Sequence, residues 1–455
     1  MDLYGPLFRS VLYPAWETLW RERPTLGRLE YLERSQWRSL DELLATQQGA
    51  LCRMIRHAYD NVPLYRARLD AIGAKPEDIR GAEDLLGVPP ITRQEARTAP
   101  ESRTSRVGPR PTIHKTTGGT TGEPLLFGYE PDSEYWRQAT KLRGYGWAGY
   151  RLGEYALHYW GFPTRPFPPL KARMKVEVDR VIRRDHYVNC TLRGEDELRK
   201  VVDIILAKRP KVIVCYTQAG GDLARYINEN GLRDWGTIPV VCGAERLFSH
   251  DRQALEQAFG TAVFETYGCR EVMLIGSECE QHDGLHESME NVLVEILVKD
   301  GDKTRPARDG ELGEIVLTDL HNYAMPFLRY ANGDLAIAGA SARCACGRGL
   351  RRIHSVEGRT TETLRDGDGE RVSGLIFNLI FSVLASTVRQ FQAVQHLDSS
   401  ITLKVIPTSD LDAVALDHIR RNCEKYLKGI SVKVEKVTEI PTSNSGKRQP
   451  VIVER

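Results

Sequence analysis

Residues 115–124 read KTTGGTTGEP, three glycines and four threonines in ten positions. Successive glycines let backbone N–H groups face one anion, and threonine hydroxyls add donors, so such a loop can hold phosphate. No GK[ST] follows the glycines, so it is not a Walker loop. Alone, the stretch is open between a phosphate cradle and a polar surface turn. Four other stretches carry residues of chemical interest: ETYGCREV with Tyr267, Gly268 and Glu271, LRYANGDLA with Asp334, EGRTTETL with Arg359, and PTSNSGKRQP with Lys447. A second group is soft and metal-binding in character. SECEQHDGLHES supplies Cys279, His282 and His286, and ARCACGRG supplies Cys344 and Cys346. A C-x-C-G turn presents two thiolates to one metal, and a Cys and a His from the first stretch would complete a tetrahedral set of the structural zinc type.

These residues need elements to position them. Residues 28–105 are rich in helix formers with apolar positions at three-to-four spacing, so the first 110 residues are expected to be largely helical. YALHYW, KVIVCY, IPVVCG and TAVFETYG read as buried strands, separated by amphipathic helices such as EDELRKVVDIILAK and GGDLARYINEN. That alternation implies a mostly parallel sheet covered by helices. After Glu287 the pattern becomes period-two, in NVLVEILV and GEIVLTDL, as in an antiparallel sheet or distorted barrel. A last unit opens at Gly358 with the DGDG hairpin signal of ETLRDGDGERV and continues as a β-α-β-rich segment. The expected class is therefore α/β, with a large domain over 1–357 and a small α+β domain over 358–455.

Bulk properties narrow the function. The 455 residues hold 63 basic and 61 acidic side chains, a balance unlike that of a general nucleic-acid binder. No stretch approaches the ~20 apolar residues of a membrane span. The N-terminus lacks the basic start and cleavage site of a signal peptide, and nine scattered cysteines make no disulfide framework, so a cytoplasmic protein with reduced thiols is expected. Cys52, Cys190, Cys215, Cys242, Cys269 and Cys423 are expected to pack as small hydrophobes. Leu3, Leu7, Phe8, Val11, Leu12, Trp16, Leu19 and Trp20 recur at helical spacing; of an interfacial anchor and packing on the protein's own body, the second is expected, with Pro14 interrupting the helix. Neither GxSxG nor HExxH occurs, so a hydrolase has no support.

The glycine–threonine loop and its four companions, in this order and ending in a C-terminal GK, resemble the adenylate-forming superfamily of acyl-CoA ligases, adenylation domains and luciferases. The long helical N-terminus and GTTGEPLLF look closest to the phenylacetate–CoA ligase and capsule-synthesis-like branch, and the resemblance spans essentially the whole chain. It implies that Thr116, Thr117, Gly118, Gly119, Thr120, Thr121 and Gly122 hold the β- and γ-phosphates of ATP. Tyr267, with Gly268 beside it, would lie against adenine, in a pocket lined by Gly243, Ala244 and Glu245. Glu271 would be the Mg²⁺ ligand, as a carboxylate beside phosphates suits a hard cation. Asp334 would accept from the ribose hydroxyls, helped by Arg359, and Lys447 would bridge substrate carboxylate and α-phosphate. Two positions depart from the pattern. Glu123 stands where many relatives carry Lys, and Thr361 stands where the hinge often has Asp or Lys.

The resemblance also selects Cys279, His286, Cys344 and Cys346 as a closed structural zinc set, with His282 in reserve, since GLH is the family-like element. Tyr159, Trp160, Phe162 and Tyr216 occupy positions where relatives shape the acyl pocket, and they suit an aryl or other apolar acid. The function implied is activation of a carboxylic acid by ATP and Mg²⁺, followed by transfer to coenzyme A. An amine acceptor, giving an amide ligase, and a non-catalytic nucleotide-binding homologue are the alternatives.

Overall fold

The computed structural model describes the chain apart from residues 1–2, 117–124, 162–169, 192, 302, 360–362, 370, 383, 385–386, 409–410, 442–448 and 455. Five strands form a parallel group in the spatial order Asp185–Asn189, Ala156–Trp160, Val212–Tyr216, Val240–Gly243, Val263–Cys269. Four of these are the apolar runs read from the sequence. Their middle members are buried on both faces because helices cover the sheet, so their residues show no polar alternation. The Glu195–Lys208 helix opens with Glu195, Asp196 and Glu197 at its positive end and stops at Arg209, which is left-handed at φ 46°. With the Thr217–Glu229 and Ser249–Phe259 helices it encloses a core around Leu157, Val202, Ile213, Leu223, Val240 and Leu255. Cys190, Cys215 and Cys242 sit in this core and Cys423 in that of the C-terminal unit, whereas Cys52 and Cys269 are half-buried.

The sheet continues past Val263–Cys269 into antiparallel strands, through Met273–Glu278 and Leu285–Glu287 to Arg352–Arg359, Tyr330–Ala338, Leu312–Asp319 and Val292–Asp300. The N-terminal layer packs over it. Its longest helix, Leu40–Asn61, starts at a capping box in which Glu42 N–H donates to Ser39 Oγ and Ser39 N–H to Glu42 Oε2, and it ends before Pro63. Buried ion pairs from Arg137 to Asp319 (2.6 Å) and from Arg143 to Glu290 (2.8 Å) tie the Pro131–Trp147 helix to the antiparallel side.

Residues beyond the Arg352–Arg359 strand build a core of their own. A hairpin of Thr363–Arg365 and Arg371–Ser373 precedes the Leu375–Ser382 helix. A four-stranded sheet follows, in the order Val432–Lys436, Ile401–Pro407, Val388–Gln395, Val451–Val453. The Ala413–Tyr426 helix covers it through Ala415, Ile419 and Cys423.

The N-terminal segment departs from expectation. It is helical from Tyr4 to Trp20, wound with wider i→i+5 turns at Phe8–Leu12 and Ala15–Trp20, and Pro14 lies between them without breaking it. Such turns accommodate a residue that a regular α-helix would reject. Phe8 and Tyr13 pack on the body, where Phe8 fits only because residue 153 is a glycine at φ 78°. Leu3, Leu7, Val11, Leu12, Trp16 and Leu19 are not taken into the core; they are exposed. A helix can turn only one stripe to the body, and this one carries apolar residues on two.

Candidate nucleotide and metal sites

The Tyr330–Ala338 strand points every second side chain the same way, so Tyr330, Asn332 and Asp334 share one face. That face meets residues presented by Val263–Cys269 and the turn after it. Tyr267 Oη donates to Asp334 Oδ2 (2.8 Å), and Asn332 Nδ2 donates to both Tyr267 Oη (2.7 Å) and Asp334 Oδ2 (2.8 Å). Burial and the Asp334 charge push the Tyr267 phenol well above its usual value, which keeps it a donor. Beside this triad, Tyr330 Oη donates to Glu271 Oε1 at 2.9 Å. Glu271, Tyr267 and Asp334 are each at most 9% exposed, so their oxygens are polar groups held in a sheltered place.

Two further groups converge on this sheet end. Arg270 donates to the Thr116 carbonyl (2.8 Å), which fixes the root of the glycine–threonine loop next to Glu271. At the carboxyl end of Val240–Gly243, where open α/β sheets bind ligands, the chain turns through Ala244 at φ 69°. Thr217 Oγ1 holds that turn by donating to the Gly243 and Glu245 carbonyls, and Gln218 N–H donates to Glu245 Oε2. Residue 243 must be glycine, as a Cβ there would meet Thr266 Oγ1 at 2.8 Å. Trp160 and Tyr216 stack edge to face at 4.4 Å, and Trp160 borders the same glycine.

Of the residues singled out in the sequence, Thr116, Gly243, Ala244, Glu245, Tyr267, Gly268, Glu271, Asp334, Trp160 and Tyr216 thus gather in one region. Backbone register sets Arg359 opposite Asp334. The expectations for Thr117, Gly118, Gly119, Thr120, Thr121, Gly122, Phe162 and Lys447, and for the Arg359 side chain, fall outside the described residues. Tyr159 is fully buried in the helix-covered core that also includes Tyr216, on the opposite side of its strand from Trp160. Asn332, Tyr330 and Arg270 were missed, although strand alternation from Asp334 points to the first two. Arg246 was missed too. It forms a two-pronged ion pair with Glu357, immediately before Gly358, and so links the Gly243–Glu245 turn to the end of the large domain's last strand. Two open clefts of about 380 and 490 Å³ lie away from this region, the first beside Arg28, Trp136 and His321 and the second beside His57, Glu130 and Tyr323.

Glu265, on the same strand as Tyr267, gives a pH prediction. Burial, with the Glu278 carboxylate next to it, pushes Glu265 up to about 7, against the N–H of Leu247 and the charges of Arg252 and Arg246. Between the ordinary glutamate value and 7, the folded chain keeps a proton that the unfolded chain has released. Stability from this group therefore falls as pH rises through that window. Thermal midpoints of wild type are expected to decline between pH 5 and pH 8 more steeply than those of Glu265→Gln; parallel profiles would count against it.

Two strands across the sheet, Cys279, His286, Cys344 and Cys346 bring four ligand atoms within 4.8 Å of one another. Cys279 and Cys344 sulfurs are 3.8 Å apart, and Cys346 Sγ is 3.3 Å from His286 Nε2. Tetrahedral arms of about 2.3 Å give a sulfur–sulfur edge of about 3.8 Å, so the set fits a closed four-coordinate ion. The outer groups fit as well. His286 Nδ1 is bonded to the Leu350 carbonyl, which leaves Nε2 as the ligand atom, and burial lowers this imidazole to about 4, so it is neutral. Arg348 N–H and Gln281 N–H donate to the Cys346 and Cys279 sulfurs. His282 takes no part: it pairs with Glu278 (3.2 Å) against Phe264. The cysteine turn also docks on the helical layer through Gly349 N–H to the Gln36 carbonyl (2.9 Å), with Arg348 lying over Trp37 and Trp147.

Known proteins resemble this chain in sequence and in fold. The CapK C-terminal domain family matches residues 364–454. Phenylacetate-coenzyme A ligase of Thermus thermophilus is 28% identical over 344 residues, covering 71% of this chain and 72% of the relative. The Escherichia coli phenylacetate-coenzyme A ligase is 28% identical over 404 residues, covering 83% and 82%. The crystal structure of 2-hydroxyisobutyryl-CoA ligase in the postadenylation state, in complex with R3-HIB-AMP, superimposes with a TM-score of 0.73 at 18% identity, over 93% of this chain and 92% of that one. The chain thus resembles the phenylacetate–CoA ligases over most of its length and the CapK proteins in its C-terminal segment, and it shares the fold of an adenylate-forming acyl-CoA ligase.

Proposed function

We propose that the protein is an ATP- and Mg²⁺-dependent ligase of an aryl or other apolar carboxylic acid. The acid's oxygen attacks the α-phosphorus of ATP, the bond to the β-phosphate oxygen breaks, and pyrophosphate leaves. The thiol of coenzyme A then attacks the acyl carbon and AMP departs. The observation that carries this reading is the meeting of Tyr267, Asp334, Glu271 and the Thr116 loop root at one end of the sheet. Asp334 is the acceptor for ribose hydroxyls, Tyr267 and the Gly243–Glu245 turn border adenine, and Glu271 holds Mg²⁺. Trp160 and Tyr216 offer the acid an aromatic wall. Lys447 brings an ammonium to the two anions that must approach each other, from the C-terminal segment that follows the Arg352–Arg359 strand.

Zinc is the proposed ion of the Cys279, His286, Cys344 and Cys346 set, with a structural role. Three thiolates and one imidazole select a soft, tetrahedral metal, and a closed set leaves no position for substrate.

Pyrophosphate release over a panel of carboxylic acids, with and without coenzyme A, tests the ligase. Aromatic acids are expected to respond, and Lys447→Ala to lower the rate by about 100-fold or more. If no acid elicits pyrophosphate, the reading fails. If adenylation occurs but an amine replaces coenzyme A as acceptor, the second half-reaction is that of an amide ligase.

A further inference from the structure

The N-terminal helix and the Leu170–Arg183 helix lie side by side and form one surface. Tyr4 Oη donates to the Ile182 carbonyl (2.7 Å), Arg183 donates to Tyr13 Oη (3.0 Å), and the Arg184 guanidinium sits 4.2 Å over the Tyr4 ring. Along the first helix, Leu3, Leu7, Val11, Leu12, Trp16 and Leu19 are 44–80% exposed, and their spacing sets them on one stripe. Along the second, Met174, Val178, Val181 and Ile182 are 45–74% exposed and share a face. Phe8 and Tyr13 anchor the opposite side of the first helix to the core, so the exposed stripe belongs to a firmly seated element. Apolar side chains gathered in this way exceed the scattered singles of an ordinary surface and mark an interaction site.

Charge identifies the partner. Residues 3–23 and 170–184 hold nine arginines and lysines against four acids, on a chain whose net charge is +2. Three of those acids pair with three of these arginines, Glu17 with Arg23, Glu177 with Arg180 and Asp179 with Arg183, and Arg9 pairs with Glu154, so the basic excess of the two segments rests on the other groups. A second copy docked about a two-fold axis would set this basic pair of segments against itself. An anionic headgroup layer neutralises it, while the acyl boundary accepts the apolar stripe. No helix among the described residues is long and apolar enough to cross a membrane, so the contact is peripheral. We propose that this two-helix surface docks the protein on an anionic phospholipid membrane.

The full chain is to be floated with vesicles of phosphatidylcholine alone and with roughly 30 mol% phosphatidylglycerol added. Anionic vesicles are expected to carry about tenfold more protein, and roughly 0.5 M salt to reverse most of that gain. Val11→Glu with Val181→Glu, at positions 53% and 74% exposed, is expected to lower the bound fraction about tenfold with an unchanged thermal midpoint. Leu19→Ser, 80% exposed, serves as a milder second variant and is expected to lower it severalfold. Failure to float with either vesicle, or flotation of both variants at wild-type level, overturns the proposal. So does a wild-type dimer that the glutamates split into monomers, which would assign the surface to a second copy.

Discussion

Asp334→Ala is expected to raise the ATP concentration required for half-maximal pyrophosphate release by about 10- to 100-fold, with a smaller effect on the saturated rate. Asp334 Oδ2 already accepts from Tyr267 Oη and Asn332 Nδ2, so its position is set before any ligand arrives. The carboxylate is 9% exposed, and a hydrogen bond to such a charged acceptor contributes about 1.5–3 kcal/mol. Removing it deletes the proposed ribose acceptor and leaves the Tyr267 and Asn332 donors without their shared partner. Asp334→Asn keeps the shape but swaps one acceptor for a donor facing those two, so an intermediate loss is expected. An unchanged ATP requirement in both variants would remove Asp334 from the nucleotide site.

The second large effect concerns the metal. Purified protein is expected to carry close to one zinc per chain, and Cys344→Ser to lose it and lower the thermal midpoint by more than about 5 °C. Cys344 and Cys346 lie on the turn that also bonds Gln36 and places Arg348 between Trp37 and Trp147. Without the ion, three buried or half-buried thiols and a neutral imidazole lose their common partner, and the helical layer loses one of its attachments to the sheet. Adenylation by protein that remains folded should change little, because the Met273–Glu278 strand separates His286 from the strand carrying Tyr267. Zinc below about half an equivalent in wild type, or a metal-free variant that unfolds at the wild-type temperature, would refute the structural role.

Local pattern made much of this protein legible. Apolar runs such as KVIVCY became strands because both faces of the parallel group are covered, and EDELRKVVDIILAK became the Glu195–Lys208 helix because its apolar stripe and acidic first turn agree. The nucleotide residues were legible as motifs in a fixed order. What the motifs lacked was the partner of each: Asn332 between Tyr267 and Asp334, Tyr330 on Glu271, and Arg270 on the loop root. Those pairings join segments that are not neighbours in the sheet, which no local pattern predicts.

The sequence by itself determined the order of strands and helices, the family resemblance and the identity of the residues able to do chemistry, since propensity, periodicity and motif spacing are local properties. Tertiary structure decided which of those residues meet. The resemblance preferred His286 to His282, but the physical reason is tertiary: strand pairing aims the first at three thiols while a left-handed turn at φ 51° hands the second to Glu278. Tyr159 and Trp160 are adjacent, yet strand alternation sends one into the core and the other toward Gly243. The N-terminal helix carries two apolar stripes, and only docking of Phe8 and Tyr13 determines which one remains exposed. In each case the deciding quantity is a contact between residues distant along the chain, which exists only once the layers have packed.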